Sequence, residues 1–481
     1  YISVTGVQTC ALPISSFNGR DLTVNAETIV VDANATVSTG SPTDAAGDIE
    51  FNANWITLKG NSELLAVGAA AGVNDDGDIL LNAIDNAPWR SVLANVDVAS
   101  VGVTVESGSE IAGRDVTILA SVDNGSTVSA QGTIGAVAGL TDAALSALEG
   151  LATAELAVSV VVSNADIDLQ TNTVVSSRNF TAIASTITES TASPTLAFLF
   201  GGAASVVVAD ADVTVAGSIT ATEDLAIRAS TDQTVKAVAK PSAIKGVAVG
   251  AAVNVVATDA TAHVTDDAVL TVGRDLYVLA DNTERLSTQA TSLTGKDGIA
   301  GLALAVSVEV GTANAWVDGS ATVGDAARLA ATMTQDSVPA QKLFILPSSA
   351  SGTSAISGTG SNSKGDALDD VKASLLSPFT ILGKDLWTKF SNSLKKNVQY
   401  GPDLPADFYA KVDLAGSLAV SVAVESTSAR IGDSNADGDG KNGSIDAAGE
   451  VSVLSALAYA PTVSASASTE NNEGSASKLS G

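Results

Sequence analysis

A thirteen-residue block recurs along this chain without gaps, and that repetition constrains the fold more than any other feature. It reads LANVDVASVGVTV at 93–105, AVSVVVSNADIDL at 157–169, AASVVVADADVTV at 203–215 and AVNVVATDATAHV at 252–264. It continues as AVSVEVGTANAWV at 305–317 and AVSVAVESTSARI at 419–431. Val158, Val160 and Val162 alternate with Ser159, Val161 and Ser163, the period of two that a strand imposes. A second alternation follows in Ala165, Ile167 and Leu169. Each block therefore reads as two short strands or one bent strand with one apolar face. On this reading Val160, Val206, Val255, Val308 and Val422 stack as one buried column.

A second signature follows each block. It is GRDLTVNA at 19–26, GRDVTILA at 113–120 and GRDLYVLA at 273–280, with AGDIEFNA at 46–53 and DGDILLNA at 76–83. Looser copies are SRNFTAIA at 177–184, TEDLAIRA at 222–229 and GEVSVLSA at 449–456. Gly tolerates positive φ and Asp or Asn bonds nearby backbone, so the first three residues read as a tight turn before the next strand. Block starts are separated by 64, 46, 49, 53 and 114 residues, and the early signatures by 27 and 30. Strand, turn and strand at such periods predict an all-β stack of parallel coils, a β-solenoid. A βαβ sheet would need a crossover helix of a dozen or more residues at every step, and none is visible at most steps.

Composition removes several function classes. The formal charge of −29 opposes nucleic-acid binding and an anionic membrane surface. The longest apolar run, 196–209, is shorter than the roughly 20 residues of a spanning helix, so no membrane insertion is expected. One Cys and one His exclude a disulfide framework and a Cys/His zinc cluster, and leave no Ser-His-Asp set. His263 aligns with Thr104, Asp168, Thr214, Trp316 and Arg430, a position too varied in chemistry to be catalytic. No catalytic residue is assigned, and no enzyme activity is expected.

The AVSVxV blocks and GRDLxVxA turns resemble the repetitive regions of large secreted bacterial adhesins, the filamentous-haemagglutinin and leukotoxin-like filamentous type. The resemblance covers about residues 15–340 and 415–470. It implies a right-handed parallel β-helix in a secreted or cell-surface fibre that mediates attachment to an unspecified surface ligand, a glycan or a protein. Residues 4–14, VTGVQTCALPI, resemble an in-frame translation of a sequencing adapter. Residues 1–14 are therefore set apart, and the chain reads as an internal piece of a longer protein. A solenoid with a period near 30 is expected over 15–125, and longer repeats over 126–340, with a short helix at 141–156 opened by Thr141.

Solenoids carry specific functions on the segments that interrupt them. The largest, 341–414, is rich in Lys and aromatic residues, and Leu382, Leu386, Phe390 and Leu394 recur at helical spacing. It reads as a helical insertion docked on the solenoid or used for recognition. The final repeat, 415–481, contains DSNADGDGKNGS. Asp433, Asn435, Asp437 and Asp439 follow the first half of a calcium loop, with Ser444 where a bidentate Glu would complete it. They are the candidate metal ligands, with Ca2+ as the ion. Two alternatives to an adhesive segment follow. One is a polysaccharide-active β-helix enzyme using paired carboxylates such as Asp210 and Asp212, or Asp266 and Asp267. The other is a calcium-dependent surface-layer or matrix component.

Overall fold

The computed structural model describes residues 2–6, 10–11, 15–17, 19–40, 43, 45–68, 76–86, 94–128, 154–194, 200–335, 352–360, 414–432, 443–459 and 462–470. One turn of the chain comprises a signature strand, a block strand and a short strand, as in Asn179–Ala192, Phe200–Val215 and Ser218–Ala221. Each pairs in parallel with its counterpart one turn away. The result is an all-β, parallel repeat-sheet architecture consistent with a right-handed β-helix. Ile2–Gly6 and Cys10–Ala11 also pair in parallel, with Leu22–Ala26 and Ile29–Val30. The described part of the adapter-like stretch thus continues the stack.

Block register is as the sequence predicts. Val160, Val206, Val255, Val308 and Val422 are direct ladder partners in succession. Their face is the opposite of the expected one. Val161 and Val207 are fully buried, whereas Val160 and Val206 are half-buried on the outer side and Val422 is 48% exposed. The reason is strand continuity. Ala165, Ile167 and Leu169 fill the apolar core enclosed by the signature, block and short strands, which fixes which parity points inward. Alternation is strict along an unbroken strand, so Val161, Ser159 and Ala157 share that inner side. The block is part of one unbroken strand rather than two short ones.

The signature turns work between coils. Asp21 accepts from the backbone N–H of Asp48, Asp48 from Asp78, and Asp78 from Asp115. Asn179, Asp224 and Asp275 continue the ladder to Asp224, Asp275 and Ala326. Arg114 adds a bidentate pair to Asp78 at 2.6 and 2.8 Å, and Arg178 grips Asp115. The glycines serve close approach rather than positive φ. A Cβ at Gly77 would lie 2.1 Å from the Gly47 carbonyl, and one at Gly273 2.0 Å from that of Thr222. Only Gly19 takes the left-handed conformation among the signature glycines. Two alignments change. An unrecognised copy, GDAARLAA, occupies 324–331, and pairing of Ala327 with Val451 shifts the last copy by one residue, to 448–455.

From Asp115 onward the signature and block strands outgrow the three-sided core and face each other as a two-layer wing. Strand Leu276–Val317 runs out along one layer and back along the other. The interruptions are partly strand. Gly352–Gly360, inside the expected helical insertion, pairs with Ser287–Leu293 and with Thr462–Glu470. Its alternating small residues put Ala355 and Ser357 inside the wing, where the layers are close. Block strand Ala154–Leu169 begins within the expected 141–156 helix, because Leu156 and Ala157 continue its alternation. Residues 141–153, and the helical spacing of Leu382 to Leu394, lie outside the described residues.

The inverted face is testable by paired substitutions. Val161→Asp should cost several kcal/mol, roughly 2–4, by placing an unpaired charge inside the wing. Val160→Asp, one position along on the outer side, should cost under about 1 kcal/mol. Thermal unfolding of the two variants side by side measures the difference, and equal losses would refute the inner parity.

Candidate metal centre

The wing interior is largely polar. In its earlier turns, hydroxyls pair across the layers: Ser159 with Ser190 at 2.8 Å, and Thr188 donating to Ser163 at 3.0 Å. Amides follow, with Asn254 donating to Thr288 at 2.8 Å and to the Ser287 carbonyl at 3.1 Å. Carboxylates come last. Glu284 stands on the signature arm of strand Leu276–Val317, Glu309 on its block arm, and Glu425 one turn further on in Leu414–Ile431. One carboxylate oxygen from each lies within 4.8 Å of those from the other two.

Each Glu departs from its own column. Glu309 stacks after Val161, Val207 and Val256, and Glu284 lies between Gln233 and Gln335. Glu425 follows Thr258 and Gly311. Gly311 opens the space they share. A Cβ there would lie 2.2 Å from Met333 Cε, 2.4 Å from Glu425 Oε2 and 2.9 Å from Glu284 Oε1, so a larger residue has to displace these side-chain ends. Hydrogen bonds anchor part of the group. Thr258 Oγ1 donates to Glu284 Oε1 at 2.5 Å. Ser307, Gln335 and Tyr459 donate to Glu309 at 2.7, 2.9 and 3.1 Å. Glu284 Oε2 and both Glu425 oxygens have no hydrogen-bond partner among the described residues, and nor has Gln335 Oε1.

Glu284 exposes 0% of its surface and Glu309 2%. Loss of water pushes Glu284 up to about 7, with Glu309 adding repulsion and hydrogen bonds from Thr258 and Asn282 opposing. Burial likewise pushes Glu425 up to about 8, reinforced by Glu284 and Glu309. Glu309 is raised by burial against the pull of its three donors. Three buried carboxylates facing one another can be neutralised by protons or by a cation. An all-oxygen set with unpartnered lone pairs suits a hard divalent ion. The group can therefore coordinate a divalent cation.

Asp433, Asn435, Asp437 and Asp439 lie outside the described residues, as does the loop they belong to. Asp266 and Asp267 are exposed at the corner before Val269, as turn residues. Asp210 and Asp212 are not at a strand end but mid-strand on the outer face, in register with Asp259 and Asp166 respectively. Burial first, then Asp166, Asp210 and Asp259, pushes Asp212 up to about 7. His263 faces outward as expected and bonds Asp318 at 2.9 Å, with Trp316 edge-on at 5.6 Å. The signal for the triad was present in the sequence. Glu309 breaks the Val161, Val207 and Val256 column, but with parity reversed it reads as a surface residue. No family model, curated protein or solved structure matches the chain.

A raised carboxyl pKa makes stability fall with pH. The contribution is complete below the unfolded value, about 4.3, and is lost as pH rises through about 7 for Glu284 and about 8 for Glu425. With divalent ions chelated, the melting temperature of the wild type should drop across that window relative to Glu284→Gln/Glu425→Gln. Parallel pH profiles for the two proteins would show that the triad is not buried together.

Proposed function

We propose that this chain is a structural segment of a bacterial surface layer or matrix, a secreted or cell-surface rod whose stack is completed by bound calcium. The observation that carries the reading is the sealed group of Glu284, Glu309 and Glu425 within 4.8 Å. Its position supports a structural over a catalytic role, because a polysaccharide could not reach Glu284, which exposes no surface. The repeat architecture, the acidic balance and the lack of a nucleophile set point the same way. Calcium is favoured over magnesium because six to eight oxygens in flexible geometry match carboxylates, amide oxygens and a hydroxyl better than a strict octahedron does.

An adhesive segment of the filamentous type is the second reading, and the outer face of the block sheet favours it. Val96 and Val98 are 70% and 64% exposed, and Val422 and Val424 48% and 61%, an aliphatic surface suited to a protein ligand.

Calorimetry of the full chain with calcium tests the first reading. Binding in the range of extracellular sites, about 10⁻⁴–10⁻³ M, is expected. At ten times the dissociation constant it should stabilise the fold by roughly 1.4 kcal/mol. Glu284→Gln should weaken binding at least about tenfold, as expected when a charged ligand is lost. Absence of heat and of any melting shift in the wild type would overturn the calcium reading.

A further inference from the structure

The three carboxylates are distributed unevenly along the chain. Glu284 and Glu309 belong to one strand, Leu276–Val317, and lie on its opposite arms. Glu425 comes from Leu414–Ile431, which stacks on Ala300–Val317 one turn later. Block starts at Ala305 and Ala419 are 114 positions apart, against 46 to 64 for the other neighbours. Glu425 also reaches toward Glu284 past Gly311, the residue directly beneath it in the ladder. Its two oxygens are without hydrogen-bond partners among the described residues, and so is Glu284 Oε2 on a fully buried side chain. Glu309 differs in being held by donors from the wing, Ser307, Gln335 and Tyr459.

Resting on the calcium reading above, we propose that the cation is an inter-turn staple: it joins Glu284 and Glu309 to Glu425 and thereby secures the turn containing Leu414–Ile431 and Val451–Ala458. Glu284 and Glu309 form a half-site on the preceding turn, where Ser307 and Gln335 hold Glu309 and the last turn adds only the Tyr459 hydroxyl. Glu425 completes the site only when Leu414–Ile431 takes its register, so binding and docking of that turn are a single linked equilibrium. In the absence of the ion, Glu425 enters the wing against two carboxylates and the turn opens more readily than the rest of the stack. Gly311 is a positioning residue here, since it leaves the space through which the carboxylate of one turn meets that of another.

Amide hydrogen exchange on the full chain, read peptide by peptide with calcium added or chelated, tests this alongside calorimetry. Calcium should slow exchange in Leu414–Ile431 and Val451–Ala458 by about tenfold or more, and in Leu22–Leu58 by less than about twofold. Glu425→Gln should abolish the regional slowing, and so should Gly311→Ala, which leaves all three carboxylates in the chain. Calcium heat without regional slowing in the wild type would overturn the staple and leave the calcium reading intact. No heat at all would overturn both. Retained heat and slowing in Glu425→Gln would remove Glu425 from the site. Circular dichroism identifies a variant that fails to fold, in which case the other variant decides.

Discussion

In-register parallel stacking is the constraint on which this structure depends, because it places each side chain directly against its own counterpart one turn away. A position must therefore tolerate its own chemistry repeated about 4.8 Å apart. Aliphatic positions meet this without cost, hence the columns of Val, Ile and Leu enclosed by the signature, block and short strands. Amides meet it by bonding along the stack, as Asn82 donates to Asn52 at 2.8 Å and Asn52 to Asn25 at 3.0 Å. Aspartates at the corners meet it by accepting from the next backbone N–H, with Arg114 and Arg178 neutralising two of them. Outward-facing columns instead mix their chemistry: Asp168, Thr214, His263, Trp316 and Arg430, all half-buried, follow one another, and Arg430 lies 4.6 Å over the Trp316 ring. Like charges do share columns in this chain, as in the corner aspartates and in Asp166 with Asp212 and Asp210 with Asp259, and there donors, arginines or protons offset the repulsion.

The wing follows from the same rule applied to a thinner interior. Beyond the three-sided core two sheets face each other directly, and the far end of the gap is lined by Ala157, Ala203, Ala252, Ala305 and their partners. Small residues let the layers approach, but they bury little apolar area, so each contributes little from the hydrophobic effect. Hydroxyl and amide pairs share the middle with a small aliphatic cluster of Val161, Val207, Val235, Val256 and Leu286, and each pair contributes only about 0.5–1.5 kcal/mol. The wing is thus held by this cluster, by its backbone ladders and by continuity with the core. That leaves its middle layer freer to vary than the Ile and Leu columns, and it is where carboxylates accumulate.

Much of the fold was legible because repetition is visible without knowing which way a strand faces. The alignment of Val160 with Val206, Val255, Val308 and Val422 needs only sequence spacing, and it is the observed register. Facing is harder, since parity is decided by Ile167 and Leu169 at the far end of the strand while the richest apolar run lies near Val160. The error then hid the candidate site. With Val160 taken as inner, Glu309 becomes an ordinary solvated residue, and attention passes to the Asp-rich loop after Ile431. Glu284 was less legible still, because its nearness to Glu309 depends on how far two strands of unequal turns run beyond the core, and no local pattern encodes that.

The triad is the place where this chain departs furthest from its own stacking rule. Glu284 and Glu309 are fixed by strand Leu276–Val317 and Glu425 arrives with Leu414–Ile431, so the two segments pair in register only with their carboxylates within 4.8 Å of one another. A junction with three such carboxylates is the one most dependent on what neutralises them. Demands on the stack are therefore not uniform along its axis: near residue 425 the ladder has to accommodate carboxylate charge, and near residue 50 it rests on the packing of Phe51 and Ile56.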